Sequence, residues 1–167
     1  MTRILKIILL SILIIVAIPV ATFIYSPAAL WQTLAGDPDL GPVNFARLVK
    51  IPEPNQYLIC PPSVCPLEKS DQDAKNYPVD VKTLKQRFIA AIDADKVEIL
   101  DNSEHTLRFI VRSSLLKIPC TVNLAFFPTD KGSTFAIYAR SQIGYSDFGR
   151  NEKQVKKWLA KLDSLIF

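Results

Sequence analysis

The chemistry most visible in this chain is carried by three arginines, a tyrosine and two small polar residues. Arg108, Arg112, Thr121, Asn123, Tyr138 and Arg140 fall at alternating positions of three segments with strand character. Period-two parity therefore places all six on one face of a sheet. Guanidinium groups gathered in this way hold a carboxylate or phosphate through paired N–H donors. The same face also has an ordinary fate, because antiparallel sheets often turn one side to water, where such residues need no ligand.

A second group lies in "SQIGYSDFGRN", residues 141–151. Gly144 and Gly149 supply backbone angles that bulkier residues resist. Asp147 and Asn151 sit just ahead of a basic, amphipathic tail, where side-chain oxygens satisfy the free amides of a helix start. Asn151 with Gln154 has capping-box spacing, and Ser146 or Asp147 suits an earlier start. One reading is a strand-to-helix joint; the other is an amide nest that binds an anion with help from Arg140 and Arg150. The candidate ligand-binding set is thus Arg108, Arg112, Tyr138, Arg140, Asp147 and Asn151.

Catalytic patterns are missing from the sequence. It holds no G-x-S-x-G, no phosphate-binding loop and no H-E-x-x-H. The single histidine, His105, lies in an expected hairpin turn with Asp101 and Glu104. We expect no catalytic residue, no metal and no cofactor, and an unrecognised enzyme is the least supported class. The three cysteines are Cys60, Cys65 and Cys120. Cys60 and Cys65 flank "PPSV" and are expected to pair if they face an oxidising compartment, leaving Cys120 as a core filler in a strand. Neither C-x-x-C redox spacing nor a four-ligand zinc set is available.

The elements that position these residues begin with a hydrophobic stretch. Residues 7–25, "IILLSILIIVAIPVATFIY", carry no charge and as a helix span about 28 Å, enough for a bilayer. A signal peptide shares the preceding Arg3 and Lys6, but its apolar region is shorter and is followed by a small-residue cleavage site that is missing here. We read residues 1–25 as a retained transmembrane anchor in the cell (inner) membrane. The positive-inside rule then puts the amino terminus in the cytoplasm and the rest outside, as a periplasmic domain. Ser26, Pro27 and Gly36 bracket a short juxtamembrane helix over 26–36.

Nine of the twelve prolines lie between Pro27 and Pro78, so residues 37–78 read as an extended arm pinned to the domain by Phe45, Leu48, Tyr57 and Ile59. Residues 79–167 form the core. "VKTLKQRFIAAID" predicts a helix over about 81–93 capped by Asp80, and strands follow at 96–100, 106–113, 119–127 and 133–141. A final helix sets Val155, Trp158, Leu159, Leu162 and Leu165 on one stripe. The order predicts an α+β domain: a two-layer arrangement of a four-stranded antiparallel sheet with both helices on one face, over Phe109, Val122, Leu124, Phe126, Phe135 and Ile137.

"PNQYLICPPSVC", "YPVDVKTL", "LRFIVRSSLLKIP" and above all "ARSQIGYSDFGRNEKQVKKWL" resemble the domain of unknown function 1499 family of membrane-associated bacterial and plastid proteins. The similarity covers roughly residues 37–165. Its R-S-x-x-G-x-S-D-x-G-x-N string is met by Arg140, Ser141, Gly144, Ser146, Asp147, Gly149 and Asn151. The resemblance implies fold and placement but no reaction. It also implies an aspartate in the strand after "RSSLL", where this chain has Cys120 and Thr121.

Beyond the anchor, eighteen basic residues face sixteen acids, too even a balance for a nucleic-acid footprint. The expectation is a non-catalytic binding or envelope-associated accessory module, whose ligand is an anionic metabolite or lipid headgroup. The alternative is a structural or assembly partner of another membrane protein.

Overall fold

The computed structural model describes residues 3–167. An apolar run with no charge between Lys6 and Tyr25 forms helix α1 (Arg3–Tyr25), none of whose residues is buried. Its mean hydropathy of 3.0 and its length make it the one helix among the described residues able to cross a membrane. Met1 and Thr2, the first residues of the expected anchor, lie outside the described residues. Helix α2 (Pro27–Ala35) follows directly, with Pro27 in its first turn and Gly36 at its end.

The sheet is antiparallel, with five strands rather than the four expected. In chain order they are β1 (Gln56–Ile59), β2 (Glu98–Asp101), β3 (Thr106–Arg112), β4 (Pro119–Thr129) and β5 (Gly132–Ser141). Spatial order is β1-β5-β4-β3-β2. The additional strand comes from the proline-rich arm, whose extended chain is interrupted by a 3-10 turn at Phe45–Arg47. Pro52, Pro54, Pro61 and Pro62 bracket residues 56–59 without interrupting them, and an edge strand needs a ladder on one side only. Its register pairs Gln56 with Arg140 and Leu58 with Tyr138.

Helix α3 (Val81–Ile92) begins where Asp80 accepts the Thr83 amide at 2.9 Å. Helix α4 (Arg150–Ile166) closes the chain. Leu84 and Phe88 of α3 and Val155, Trp158 and Leu162 of α4 are buried with Phe109, Val122, Leu124, Phe126, Phe135 and Ile137 in one cluster. Phe88 meets Phe126, Phe135 and Trp158 at ring-centroid distances of 6.3, 5.8 and 6.4 Å, all edge-on, a geometry that aligns the positive ring edge with the negative face.

Residues of the opposite strand parity form a second cluster, and here the expectation of a solvated face fails. Leu58, Ala136 and Tyr138 pack with Phe45, Leu48, Cys60 and Cys65 of the arm. Thr121 and Asn123 are buried as well. The arm satisfies these polar groups through its backbone: Thr121 Oγ1 donates to Pro38 O at 2.9 Å and accepts from Leu40 N at 3.0 Å, and Asn123 Nδ2 donates to Gly41 O at 3.3 Å.

Candidate functional site

The ends of β3 and β5 lie at the same end of the sheet, so the loops that follow them, residues 113–118 and 142–149, are neighbours. Gln142 N donates to Pro119 O at 3.1 Å and Arg150 Nη1 to Ile118 O at 3.3 Å. Helix α2 rests on the same end. Trp31 Nε1 donates to Leu116 O at 2.6 Å, and Gln142 Nε2 to Ala35 O at 3.0 Å.

The motif residues 140–151 build a polar knot here. Ser141 and Asn151 are both buried. Asn151 Nδ2 donates to Asn55 O at 2.7 Å and to Ser141 Oγ at 3.2 Å, and Arg150 Nη2 donates to Ser141 Oγ at 2.9 Å. Asn55 Nδ2 returns bonds to Gly144 O at 2.7 Å and Ser141 O at 3.3 Å. Asp147 accepts the Gly149 amide at 3.0 Å and the Asn151 amide at 2.7 Å. Asp147 is thus the residue that serves the start of α4, while Asn151 turns inward from within the first turn. Gly144 and Gly149 take φ of 91° and 72°, angles glycine adopts without a Cβ penalty.

The six candidate residues do not meet at one place. Arg108 pairs with Asp39 of the arm at 3.3 Å. Arg140 donates from Nη2 to Leu40 O at 3.1 Å, with its guanidinium 5.8 Å from the Tyr138 ring centroid. Tyr138 is buried and donates its hydroxyl to Gln56 Oε1; burial pushes that hydroxyl up to about 12. These three lie at the sheet face that the arm covers. Asp147 and Asn151 are engaged in the knot.

Arg112 lies apart, in a pocket of about 580 Å³ between the β2–β3 side of the sheet and the first turns of α4. Lys96, Lys117, Arg150 and Lys157 line the same pocket, opposed by Asp95 and Glu98. Glu98 engages Arg112 at 3.5 Å and Asp95 engages Lys157 at 2.7 Å. Lys96, Lys117 and Arg150 have no ion-pair partner among the described residues, and the buried Nη1 of Arg112 has no hydrogen-bond partner. Sequence reasoning missed Lys96, Lys117 and Lys157. The available signal for Lys117 was the hairpin itself, since closing "RSSLLKIP" brings residue 117 back toward Ser113, whose carbonyl its amide reaches at 3.2 Å.

A second pocket of about 590 Å³ lies beside Arg140, Asn55, Gln142 and Tyr145. His105 is exposed, with Glu104 3.9 Å away, beside a further cavity of about 740 Å³ against α3. Cys60 and Cys65 form a disulfide with Cα atoms 6.0 Å apart. Cys120 is a buried free thiol, pushed up to about 12 by burial.

A sequence model described as "Protein of unknown function (DUF1499)" matches residues 53–162. No curated protein matches the chain. Among solved structures, protein MLL2253 from Mesorhizobium loti is 10% identical, covering 55% of this chain and 92% of its own, with a TM-score of 0.46. Protein CV1439 from Chromobacterium violaceum is 11% identical, covering 68% and 98%, with a TM-score of 0.44.

Proposed function

The chain belongs to the DUF1499 family, whose description names no reaction, and we propose that it is a membrane-anchored, non-catalytic binding module that takes an anionic group into the Arg112 pocket. Helix α1 crosses the inner membrane with Arg3 and Lys6 on the cytoplasmic side, and the α+β domain stands outside it. The reading is carried by the surplus of cations in the pocket: five basic side chains against two carboxylates that are already paired. Three unpaired cations around a concavity favour a phosphate or carboxylate, with each charge pair worth about 1–4 kcal/mol between fully aqueous and surface dielectric. The pocket lies at the end of the sheet that touches α2, which suits the headgroup of a lipid or a metabolite held near the bilayer.

The test is native mass spectrometry of the full chain released from membranes, after equilibration with phosphatidylglycerol and, separately, inorganic phosphate. Wild type should retain one anion, and Lys96→Gln with Lys117→Gln should weaken its affinity about tenfold, the equivalent of 1.4 kcal/mol. Equal occupancy in both proteins refutes the pocket.

A further inference from the structure

We propose that the two loops at the α2 end of the sheet form a hydrophobic rim that enters the bilayer surface, so that the domain is docked on the membrane rather than suspended from it. This rests on α1 spanning the bilayer. The rim consists of Leu115, Leu116, Tyr145 and Phe148, which are 81%, 45%, 73% and 90% exposed. Packing gives these side chains no reason to be apolar, and they come from two loops 30 residues apart that the fold brings together. Val49, Leu67, Ile99 and Phe167 are exposed too, but on segments with no hydrogen bond to α2 among the described residues.

The occupant follows from reach. From Tyr25, where α1 ends, to Trp31 is six residues, so the Trp31 backbone lies at most about 13 Å past the end of the span, counting two extended steps around the non-helical Ser26 and 1.5 Å per residue along α2. Trp31 Nε1 holds Leu116 O at 2.6 Å. The headgroup layer on each side of the hydrocarbon is roughly 5–8 Å thick. The bond therefore keeps the 113–118 loop close to that layer, within reach of its exposed side chains. Gln142 Nε2, bonded to Ala35 O at 3.0 Å, ties the 142–149 loop to the same helix. Leucine and aromatic side chains beside lysine and arginine are the composition of surfaces that sit at an anionic bilayer interface, and Lys117 and Arg150 flank this rim. A protein partner would need neither the closeness to the span nor the flanking cations.

The test places nitroxide labels on the full chain in nanodiscs of phosphatidylcholine and phosphatidylglycerol, at Leu115→Cys, Phe148→Cys, Asp130→Cys and Leu13→Cys. Cys120 is buried and Cys60 is bonded to Cys65, so the introduced thiols are the ones labelled. Asp130 lies in the β4–β5 turn at the opposite end of the sheet. Positions 115 and 148 should show oxygen accessibility several-fold above that of position 130, with a matching fall in accessibility to a water-soluble nickel chelate. If position 13 is deep in the bilayer while 115 and 148 match 130, the rim is refuted and the anchor stands. If position 13 is itself aqueous, anchor and rim are refuted together.

Discussion

Asn151 in the first turn of α4 donates to the backbone carbonyl of Asn55, a residue 96 positions earlier, at 2.7 Å. The same carbonyl accepts the Ser141 amide at 3.0 Å, so one oxygen joins the arm, β5 and the final helix. Removing the Asn151 side-chain amide deletes two buried hydrogen bonds, to Asn55 O and Ser141 Oγ, although each acceptor keeps one other donor. Asn151→Ala should therefore destabilise the domain by about 1–3 kcal/mol, read as a lower urea midpoint with an unchanged slope.

Asp95 makes a comparable junction further along α4. Burial pushes its carboxyl up, but hydrogen bonds from Lys157, Trp158 and Gln154 outweigh this and hold it below the usual range; the three donors lie at 2.7, 2.6 and 2.9 Å. A carboxyl lowered on folding stabilises the protein at pH values above its unfolded pKa of about 3.9, and that contribution is lost as pH falls through the folded value. Wild type should lose more stability between pH 7 and pH 3 than Asp95→Asn, which should be weaker by about 1–2 kcal/mol at neutral pH. Urea midpoints of both proteins across that interval check the sign.

The cysteines should respond unequally. Opening the Cys60–Cys65 ring, with a sequence separation of 5, by Cys60→Ser with Cys65→Ser should cost about 2 kcal/mol on the loop-entropy estimate. Cys120, raised to about 12 by burial, should resist a thiol reagent at pH 8 in the folded protein and react fully in denaturant. In denaturant, one thiol without reductant and three with it would establish the pairing; urea midpoints of the double variant read the cost, and the labelling rate of the folded protein reads Cys120.

Gly132, at φ 128°, sits where an added Cβ would lie 2.0 Å from Tyr77 O. Tyr77 and Ser133 exchange backbone hydrogen bonds of 2.8 and 2.9 Å at this point, so the carbonyl cannot retreat cheaply. Gly132→Ala should destabilise by on the order of 3 kcal/mol, measurable as a drop in Tm.

Topology is open to a direct assay. With the amino terminus inside, protease added to intact spheroplasts should remove the carboxy-terminal domain. Full protection would reverse the orientation and with it the compartment assumed for the disulfide.

The parts of the fold legible in the sequence divide from the rest along physical lines. Period-two and helical spacing made β3, β4, β5 and α4 legible, and Phe109, Val122 and Trp158 are buried as their parity required. β1 was hidden because four residues among prolines carry too little periodicity. The cover over Thr121, Asn123 and Tyr138 was hidden for another reason. Parity assigns a face but does not say what lies over it, and the arm binds there through the carbonyls of Pro38, Leu40 and Gly41, which have no side-chain signature. Arg108, Arg112 and Arg140 share strand parity, yet a separate partner holds each of them.

The short strand β1 has a consequence for crowding. Its outer margin is occupied by its own chain: Asp71 N donates to Leu58 O at 2.8 Å, Leu58 N to Asp71 Oδ2 at 2.8 Å, and Cys60 N to Ser70 Oγ at 2.8 Å. A neighbouring molecule finds the amides of Leu58 and Cys60 already engaged, one way in which sheets avoid edge-to-edge self-association. Copies that collide along this margin therefore meet a stretch of ladder already closed at Leu58 and Cys60.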